Sequence, residues 1–416
     1  MLESRPVDAP SDAFTLAERL RERQDVSLWW ARGGALAYLA CDPIAERDTL
    51  DPEPELRLDA QLAPDACAPR WVGILPYEAR RELERRGRGA SREKPQIDRV
   101  RWLRYGAVAE IGSRVRVLGD QPERIAALVG LLERPSTRER RAARLTLERV
   151  EPPALHAARI RAALEEIRAG NLYQVNLARR FDFRVEGRPW ELLAKLSRTS
   201  RPAFAAALAW GELSVMAASP ELFLHLDTSR QIVTSPIKGT RPRGASAELD
   251  AQLRAELAED PKERAELTMI LDVERNDLGR VCKPGSVRLL EPPHVETHAT
   301  VHHRLASLGG ELYDHVNRRT LLEVMLPSGS VTGAPKVSAM DLIAELEAER
   351  RGLYTGAFGT LSHDGRLTLG MAIRTLTVLD GQGHYFAGGG IVADSDPSRE
   401  VEETLWKAQA LLELVG

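Results

Sequence analysis

The spacing of apolar and polar positions divides this chain into two stretches of different rhythm. In the first 150 residues, segments such as VSLWWARGGALAYLA and RWLRYGAVAEIGSRVRVLG alternate in the manner of strands and hairpins. Residues 133–153, ERPSTRERRAARLTLERVEPP, are hydrophilic and predict a boundary between an N-terminal region, 1–150, and a larger part, 151–416. Beyond it, helical spacing in HAARIRAALEEIRAG and ERAELTMILDVERND alternates with extended runs near Phe204–Leu208 and in ELFLHL. LTLGMAIRTLTVLDGQGHYFA predicts two strands joined at Asp380-Gly381, a hairpin signal, and Arg374 would lie inside the first. Residues 86–95, RGRGASREKP, read as a flexible loop, and no internal repeat is visible. The mixture is α+β, without the regular βαβ beat of a doubly wound sheet.

Two helices open alike. Asp260-Pro261 and Asp396-Pro397 each place an N-cap aspartate before a proline at the first helical position. Each helix then carries Glu-x-x-Glu early, Glu263 and Glu266 in one and Glu400 and Glu403 in the other. Residues three apart share a helix face. In the last helix Val401, Leu405, Ala408, Leu412 and Val415 form the expected buried stripe, with Glu400, Glu403 and Lys407 beside it. Acidic first turns complement the helix dipole in any protein. If the two turns meet in space, however, four carboxylates converge and require a cation, for which hard Mg²⁺ with retained waters is suited.

At 416 residues the chain exceeds one ordinary core and predicts two or three domains or one elaborate one. Its 43% hydrophobic and 29% charged residues describe a globular protein. A net charge of -3 argues for neither nucleic acid nor an anionic membrane as partner. Cys41, Cys67 and Cys282 have no zinc spacing and fit a reducing compartment. With no membrane-length apolar run and no signal pattern, a cytoplasmic location is expected.

Several polar residues interrupt apolar surroundings. Lys238 follows the β-branched run Gln231–Thr234, and Pro236 and Gly239 punctuate it, so a tight turn at a strand end is expected. Arg374 in LGMAIRTLTV needs an anion, from a salt bridge or a bound carboxylate. Gly388, Gly389 and Gly390 permit close backbone approach to an anion, but no βαβ unit follows to make a dinucleotide site. GSVTGAPK has the wrong spacing for a P-loop, and Pro335 instead opens the helix PKVSAMDLIAELE. Glu221 in AASPELF is a general-acid candidate if buried, and His302-His303 completes the set. No Gly-x-Ser-x-Gly or reactive cysteine motif points to hydrolytic nucleophilic catalysis.

In order and wording these segments resemble the chorismate-utilising enzymes, which include anthranilate, aminodeoxychorismate, isochorismate and salicylate synthases. The words are AGNLYQVNLARRF, ASPELF, SPIKGTRPRG, ERAELTMILDVERNDLGRV, TVHH, PSGSVTGAPK, YTGAFG, AIRT and GGGIVADSDPSREVEET, from about residue 155 to the C-terminus. The first 150 residues match only loosely, around WVGILPYEARREL. The resemblance implies antiparallel sheets packed face to face and flanked by helices. Anthranilate synthases carry alanine in the PIAGT turn; the PIKGT form looks like the aminodeoxychorismate synthase component I branch, which makes 4-amino-4-deoxychorismate for para-aminobenzoate and folate.

That resemblance implies roles. Glu221 would protonate the departing 4-hydroxyl of chorismate, and Lys238 would attack C2 before ammonia enters at C4. An ordinary lysine is only about 0.04% neutral at pH 7, so the site would have to favour the neutral amine. Glu266 and Glu403 would bind Mg²⁺, with Glu263 and Glu400 assisting through water. Arg374 and Tyr354 would hold the enolpyruvyl carboxylate beside the amides of Gly388, Gly389 and Gly390. Thr240, His303, Thr332 and Lys407 would complete the pocket. Gln174 stands where isochorismate synthases place a water-activating lysine. Arg304 and Leu222 depart from the family pattern, which has leucine and arginine there. A separate glutamine amidotransferase subunit would supply ammonia, since no Gly-x-Cys-x-Gly occurs. The N-terminal part lacks the Leu-Leu-Glu-Ser-type word of tryptophan-inhibited relatives, so calorimetry is expected to show no tight tryptophan binding.

Overall fold

The computed structural model describes residues 2–31, 36–59, 61–62, 64–80, 96–135, 142–198, 202–298 and 301–416. The loop expected at 86–95 lies outside the described residues. Two large antiparallel sheets form the protein. The first, of 12 described strands, runs from Glu3–Val7 at one edge through Phe204–Trp210, Leu213–Ser219, Thr375–Leu379 and Gln382–Ile391 to Gln174–Glu186 and Gly333–Ala334. The second, of 10, includes Ile237–Pro242, Val301–Glu311, Gln231–Ser235, Leu222–Leu226, Leu367–Met371, Ala357–Ser362 and Pro69–Leu75. Strands from before and after residue 150 occur in both sheets, and Arg144–Val150, within the hydrophilic 133–153 stretch, pairs with Gln174–Glu186.

The sheets pack face to face because their strands alternate. In Phe204–Trp210, residues Phe204, Ala206, Leu208 and Trp210 point into a cluster shared with Val72, Ile74, Leu103 and Phe358 of the other sheet. Ala205, Ala207 and Ala209 face the other way, against a cluster that includes Leu16, Ile125, Leu193 and Leu411 of flanking helices. Helices Pro261–Gly279 and Arg318–Met325 cover the outer face of the second sheet through Leu267, Leu271, Leu321 and Leu322. Trp210 fills the inter-sheet core at 1% exposure and donates its Nε1–H to Ser27 Oγ at 2.9 Å. Trp210→Ala is expected to cost about 3–5 kcal/mol of stability, read as a lowered urea midpoint.

Two corners where the chain changes sheets place the site. Leu213–Ser219 belongs to the first sheet and Leu222–Leu226 to the second, with Pro220-Glu221 between. Likewise Leu367–Met371 and Thr375–Leu379 lie in different sheets, joined by Ala372–Arg374. The segment predicted as two strands is therefore three, and Arg374 sits at a corner rather than inside a strand. Its φ of 50° is what the reversal demands, a left-handed conformation costly for a non-glycine residue. The Asp380-Gly381 turn is a tight hairpin with both residues at positive φ, 52° and 77°.

The last helix, Pro397–Leu412, buries Glu400, Val401, Thr404, Ala408 and Leu411. The stripe is rotated from the predicted one: Leu405 and Val415 are 40% and 38% exposed. The polar Glu400 and Thr404 belong to the inward face, which a purely apolar reading of periodicity misses. All three cysteines are free, and no helix among the described residues is long and apolar enough to cross a membrane.

Candidate active site

Glu221, at the first corner, is 4% exposed and accepts a hydrogen bond from Ser330 Oγ at 2.7 Å. Burial pushes its carboxyl up to about 7, against the lowering effects of Ser330 and of the Lys238 ammonium. It is thus poised to hold a transferable proton near neutrality. Lys238 lies in Ile237–Pro242, where the pairing with Val301–Glu311 slips between Ile237 and Thr240. Gly239 takes a φ of 86° in this bulge. The expected turn is therefore a bulged strand, and the bulge sends Lys238 inward, to 9% exposure. Its Nζ donates to Ser330 O at 3.2 Å. Ser330 thus touches both residues, through hydroxyl and carbonyl.

Around this pair the predicted residues divide. His303 Nδ1 and Thr240 Oγ1 are 2.9 Å apart across the bulged pairing. Burial and the nearby Arg374 and His298 push the His303 ring down to about 3, so it works as a neutral imidazole. The Arg374 guanidinium has no ion-pair or hydrogen-bond partner among the described residues, and burial lowers its proton affinity. A strained corner arginine left unpaired is ready for an anionic ligand. Tyr354, buried nearby in sequence terms between Arg351 and Thr355, stacks on Phe386 with ring centres 5.3 Å apart. Arg351 lies over its ring at 5.6 Å and is itself tied to Glu347 at 2.7 Å. Thr332 is spent locally, its hydroxyl donating to Ser328 O at 2.8 Å. That fixes the 328–332 loop and leaves the side chain no free donor.

Gly388, Gly389 and Gly390 lie within Gln382–Ile391, paired with Ala178, Leu177 and Asn176. Their value here is clearance. A Cβ on Gly389 would come within 3.0 Å of Glu400 Oε2 and 3.3 Å of Glu403 Oε1, and one on Gly390 within 2.1 Å of Gln174 Nε2. Gln174 is 1% exposed, and among the described residues its Oε1 has no hydrogen-bond partner. Lys407 donates to Gly388 O at 2.8 Å and pairs with Glu403 at 2.5 Å.

The two acidic helix starts do meet. Both aspartates cap as predicted, Asp260 accepting from the amides of Lys262 and Glu263, and Asp396 from those of Ser398 and Arg399. Lys262 sits 3.8 Å from Glu266 and 3.6 Å from Glu400, while Glu263 leans toward Arg241 at 3.5 Å. The carboxylates are therefore partly neutralised by the cationic side chains of Lys262, Lys407 and Arg241. Charge is still in excess. Burial, with Glu263 near one and Glu403 near the other, raises the carboxyls of Glu266 and Glu400. Burial acts the same way on Glu403, but Lys407 outweighs it and holds that carboxyl low. Among the described residues no three acidic, histidine or cysteine side chains close into a ready cage. A wide rim of hard oxygens with surplus negative charge fits a cation that keeps some of its water.

Three participants escaped the sequence reading: Ser328, Ser330 and Glu274. Glu274 is fully buried on Pro261–Gly279 and accepts from Ser328 Oγ at 2.5 Å and Gly329 N at 3.0 Å. The signal was present, since Glu266, Glu274 and Asp277 fall on the same buried stripe as Leu267, Ile270, Leu271 and Leu278. Of the two departures, Leu222 is an ordinary core residue of its strand, and Arg304 caps a helix end, donating to Ala258 O at 2.5 Å.

The profile of the family described as chorismate binding enzyme matches residues 15–413. Anthranilate synthase component 1 of Thermus thermophilus is 45% identical over 62% of this chain and 55% of its own length. Aminodeoxychorismate synthase component 1 of Klebsiella aerogenes is 44% identical over 59% and 54%. The chain spans about half the length of the curated relatives it matches. The crystal structure of anthranilate synthase component I from Streptococcus pneumoniae superposes with a TM-score of 0.75, covering 98% of this chain and 91% of that one at 25% identity. Two face-to-face antiparallel sheets with the buried Glu221 at one corner and the match along nearly the whole chain lead to one conclusion: the chain belongs to the chorismate binding enzyme family.

Proposed function

We propose that the chain is the chorismate-converting component of an aminodeoxychorismate synthase, exchanging the 4-hydroxyl of chorismate for an amine. The observation that carries this reading is the convergence on Ser330 of Glu221, from the corner between the sheets, and Lys238, from a strand of the second sheet. Glu221 gives its proton to the 4-hydroxyl. The Lys238 amine bonds to C2, the two conjugated ring double bonds shift from C1=C2 and C5=C6 to C1=C6 and C4=C5, and the C4–O bond breaks to release water. Ammonia then bonds to C4, both double bonds shift back, and the C2–N bond to Lys238 breaks. The incoming nitrogen releases one proton, which replaces the one spent. Arg374 anchors a substrate carboxylate, for which Tyr354 is the second proposed contact, and neutral His303 orients Thr240 without adding charge.

Mg²⁺ would be held by Glu266 and Glu403, with Glu263 and Glu400 reached through water, and when bound would offset the charge of the ring carboxylate. Chelation with EDTA is expected to stop turnover while the circular dichroism spectrum stays folded; full turnover in chelator would refute the metal assignment. A glutamine amidotransferase partner would deliver the ammonia. Arg374→Gln is expected to raise KM for chorismate by about 10-fold or more, the worth of one charge-assisted pair. An unchanged KM would remove the residue from the substrate site.

Anthranilate synthesis is the second reading, favoured by a relative of that name at 45% identity beside 44% for the aminodeoxychorismate synthase. A mass-spectrometric assay with chorismate, Mg²⁺ and ammonium separates them. Aminodeoxychorismate without pyruvate supports the first reading; anthranilate with pyruvate supports the second.

A further inference from the structure

Behind Glu221 runs a buried line of oxygens that the reaction above does not use. Ser330 Oγ is 2.7 Å from Glu221 Oε1, Ser328 Oγ is 3.0 Å from Ser330 Oγ, and Glu274 Oε1 is 2.5 Å from Ser328 Oγ. All four residues are buried, at 4%, 4%, 2% and 0% exposure. The three contacts need three hydrogens, and the two serines supply only two, one each. With both serines donating to ionised carboxylates, the Ser328–Ser330 contact would hold no hydrogen and would rest on Ser330 N, which donates to Ser328 Oγ at 3.1 Å. A continuous hydrogen-bonded line takes its third hydrogen from a carboxyl. Either Glu274 is protonated and the bonds run Glu274→Ser328→Ser330→Glu221, or Glu221 is protonated and they run in reverse.

We propose that Glu221 and Glu274 share one proton through Ser330 and Ser328, so that Glu274 stores the proton used in catalysis. The step balances. The Glu274 proton passes to Ser328 Oγ, that of Ser328 to Ser330 Oγ, and that of Ser330 to Glu221 Oε1. Glu221 becomes neutral and Glu274 a carboxylate, and no atom is gained or lost. Glu274 touches no substrate and is a positioning residue acting through the serines. The inference deepens the functional reading above and rests on Glu221 as its acid.

The surroundings favour a shared proton over two charges. Glu221 is faced by Lys238 from the bulged strand, Lys407 from the last helix and Glu274. Glu274 is faced by Asp277 on its own helix and by Lys336, which is committed to Asp277 at 2.6 Å. Burial first, then Asp277, lifts Glu274 to about 6 against the lowering effects of Ser328, Lys336 and Gly329 N, and among the described residues its Oε2 has no hydrogen-bond partner.

Infrared spectroscopy and pH-dependent kinetics on wild type, Glu274→Gln and Ser328→Ala test this. Wild type is expected to show the C=O stretch of a buried carboxylic acid at neutral pH, displaced in Ser328→Ala. Removing the Glu274 charge lowers the proton affinity of Glu221. In Glu274→Gln the basic limb of kcat should therefore move to lower pH, with a loss of about 10-fold at mildly alkaline pH. In Ser328→Ala a proton inventory in H₂O/D₂O mixtures should change from bowed to linear. A structural role for Glu274 would move neither the pH limb nor the inventory. Absence of the acid band, or its persistence unchanged in both variants with a wild-type pH limb, overturns the proposal. If the band behaves as expected but chorismate is not turned over, the functional reading fails and the shared proton stands.

Discussion

Replacing Lys238 with alanine is expected to abolish formation of aminodeoxychorismate, by about 10³-fold or more, equivalent to about 4 kcal/mol of lost transition-state stabilisation. The side chain is 9% exposed, its Nζ rests on Ser330 O at 3.2 Å, and the bulge at Gly239 aims it at the same loop that holds Glu221. A surface lysine at a turn would tolerate alanine at almost no cost. A nucleophile cannot be truncated without removing the bond-forming atom. The fold should survive, because among the described residues the side chain makes one hydrogen bond, to a backbone carbonyl. The check is kcat measured by product mass spectrometry beside a thermal melt. A variant that melts like wild type and still makes aminodeoxychorismate would remove Lys238 from the chemistry.

Glu221→Gln is the second large effect, expected to lower kcat by about 10²–10⁴-fold, the usual contribution of a general acid. Glutamine fills the same volume and can still accept from Ser330, so a loss of this size reports the proton and not the packing. The pH dependence follows with a defined sign. The acid form of Glu221, with its carboxyl lifted to about 7, is present below that pH and lost above it. Activity limited by this proton donor should therefore fall as pH rises through about 7, and the glutamine variant should show no such limb. A residual activity in the variant that keeps the limb would assign it to another group.

Much of this was legible in the sequence where local rules decide. The Asp260-Pro261 and Asp396-Pro397 starts, the Asp380-Gly381 hairpin and the alternating strand Phe204–Trp210 depend on backbone chemistry and period alone. What was misread depends on contacts between distant segments. LGMAIRTLTV looks continuous because both sheets it visits are apolar, so nothing local marks the corner at Arg374. The bulge at Lys238 comes from the pairing with Val301–Glu311, which the turn residues Pro236 and Gly239 do not encode. The last helix turned its polar Glu400 and Thr404 inward because an acidic rim and the strand Gln382–Ile391 lie there. Ser328, Ser330 and Glu274 are ordinary residue types, given meaning only when 328–330 folds onto Pro261–Gly279.

The most direct test of the central claim, that Lys238 bonds to the substrate ring, is intact-protein and peptide mass spectrometry after incubation with chorismate and Mg²⁺ in the absence of ammonia. With no amine to displace it, the lysine should stay attached. The account predicts an adduct of chorismate less one water, mapped to the peptide containing Lys238, absent in Lys238→Ala and discharged as aminodeoxychorismate when ammonium is added. An unmodified Lys238 together with undiminished product formation on adding ammonium would contradict it.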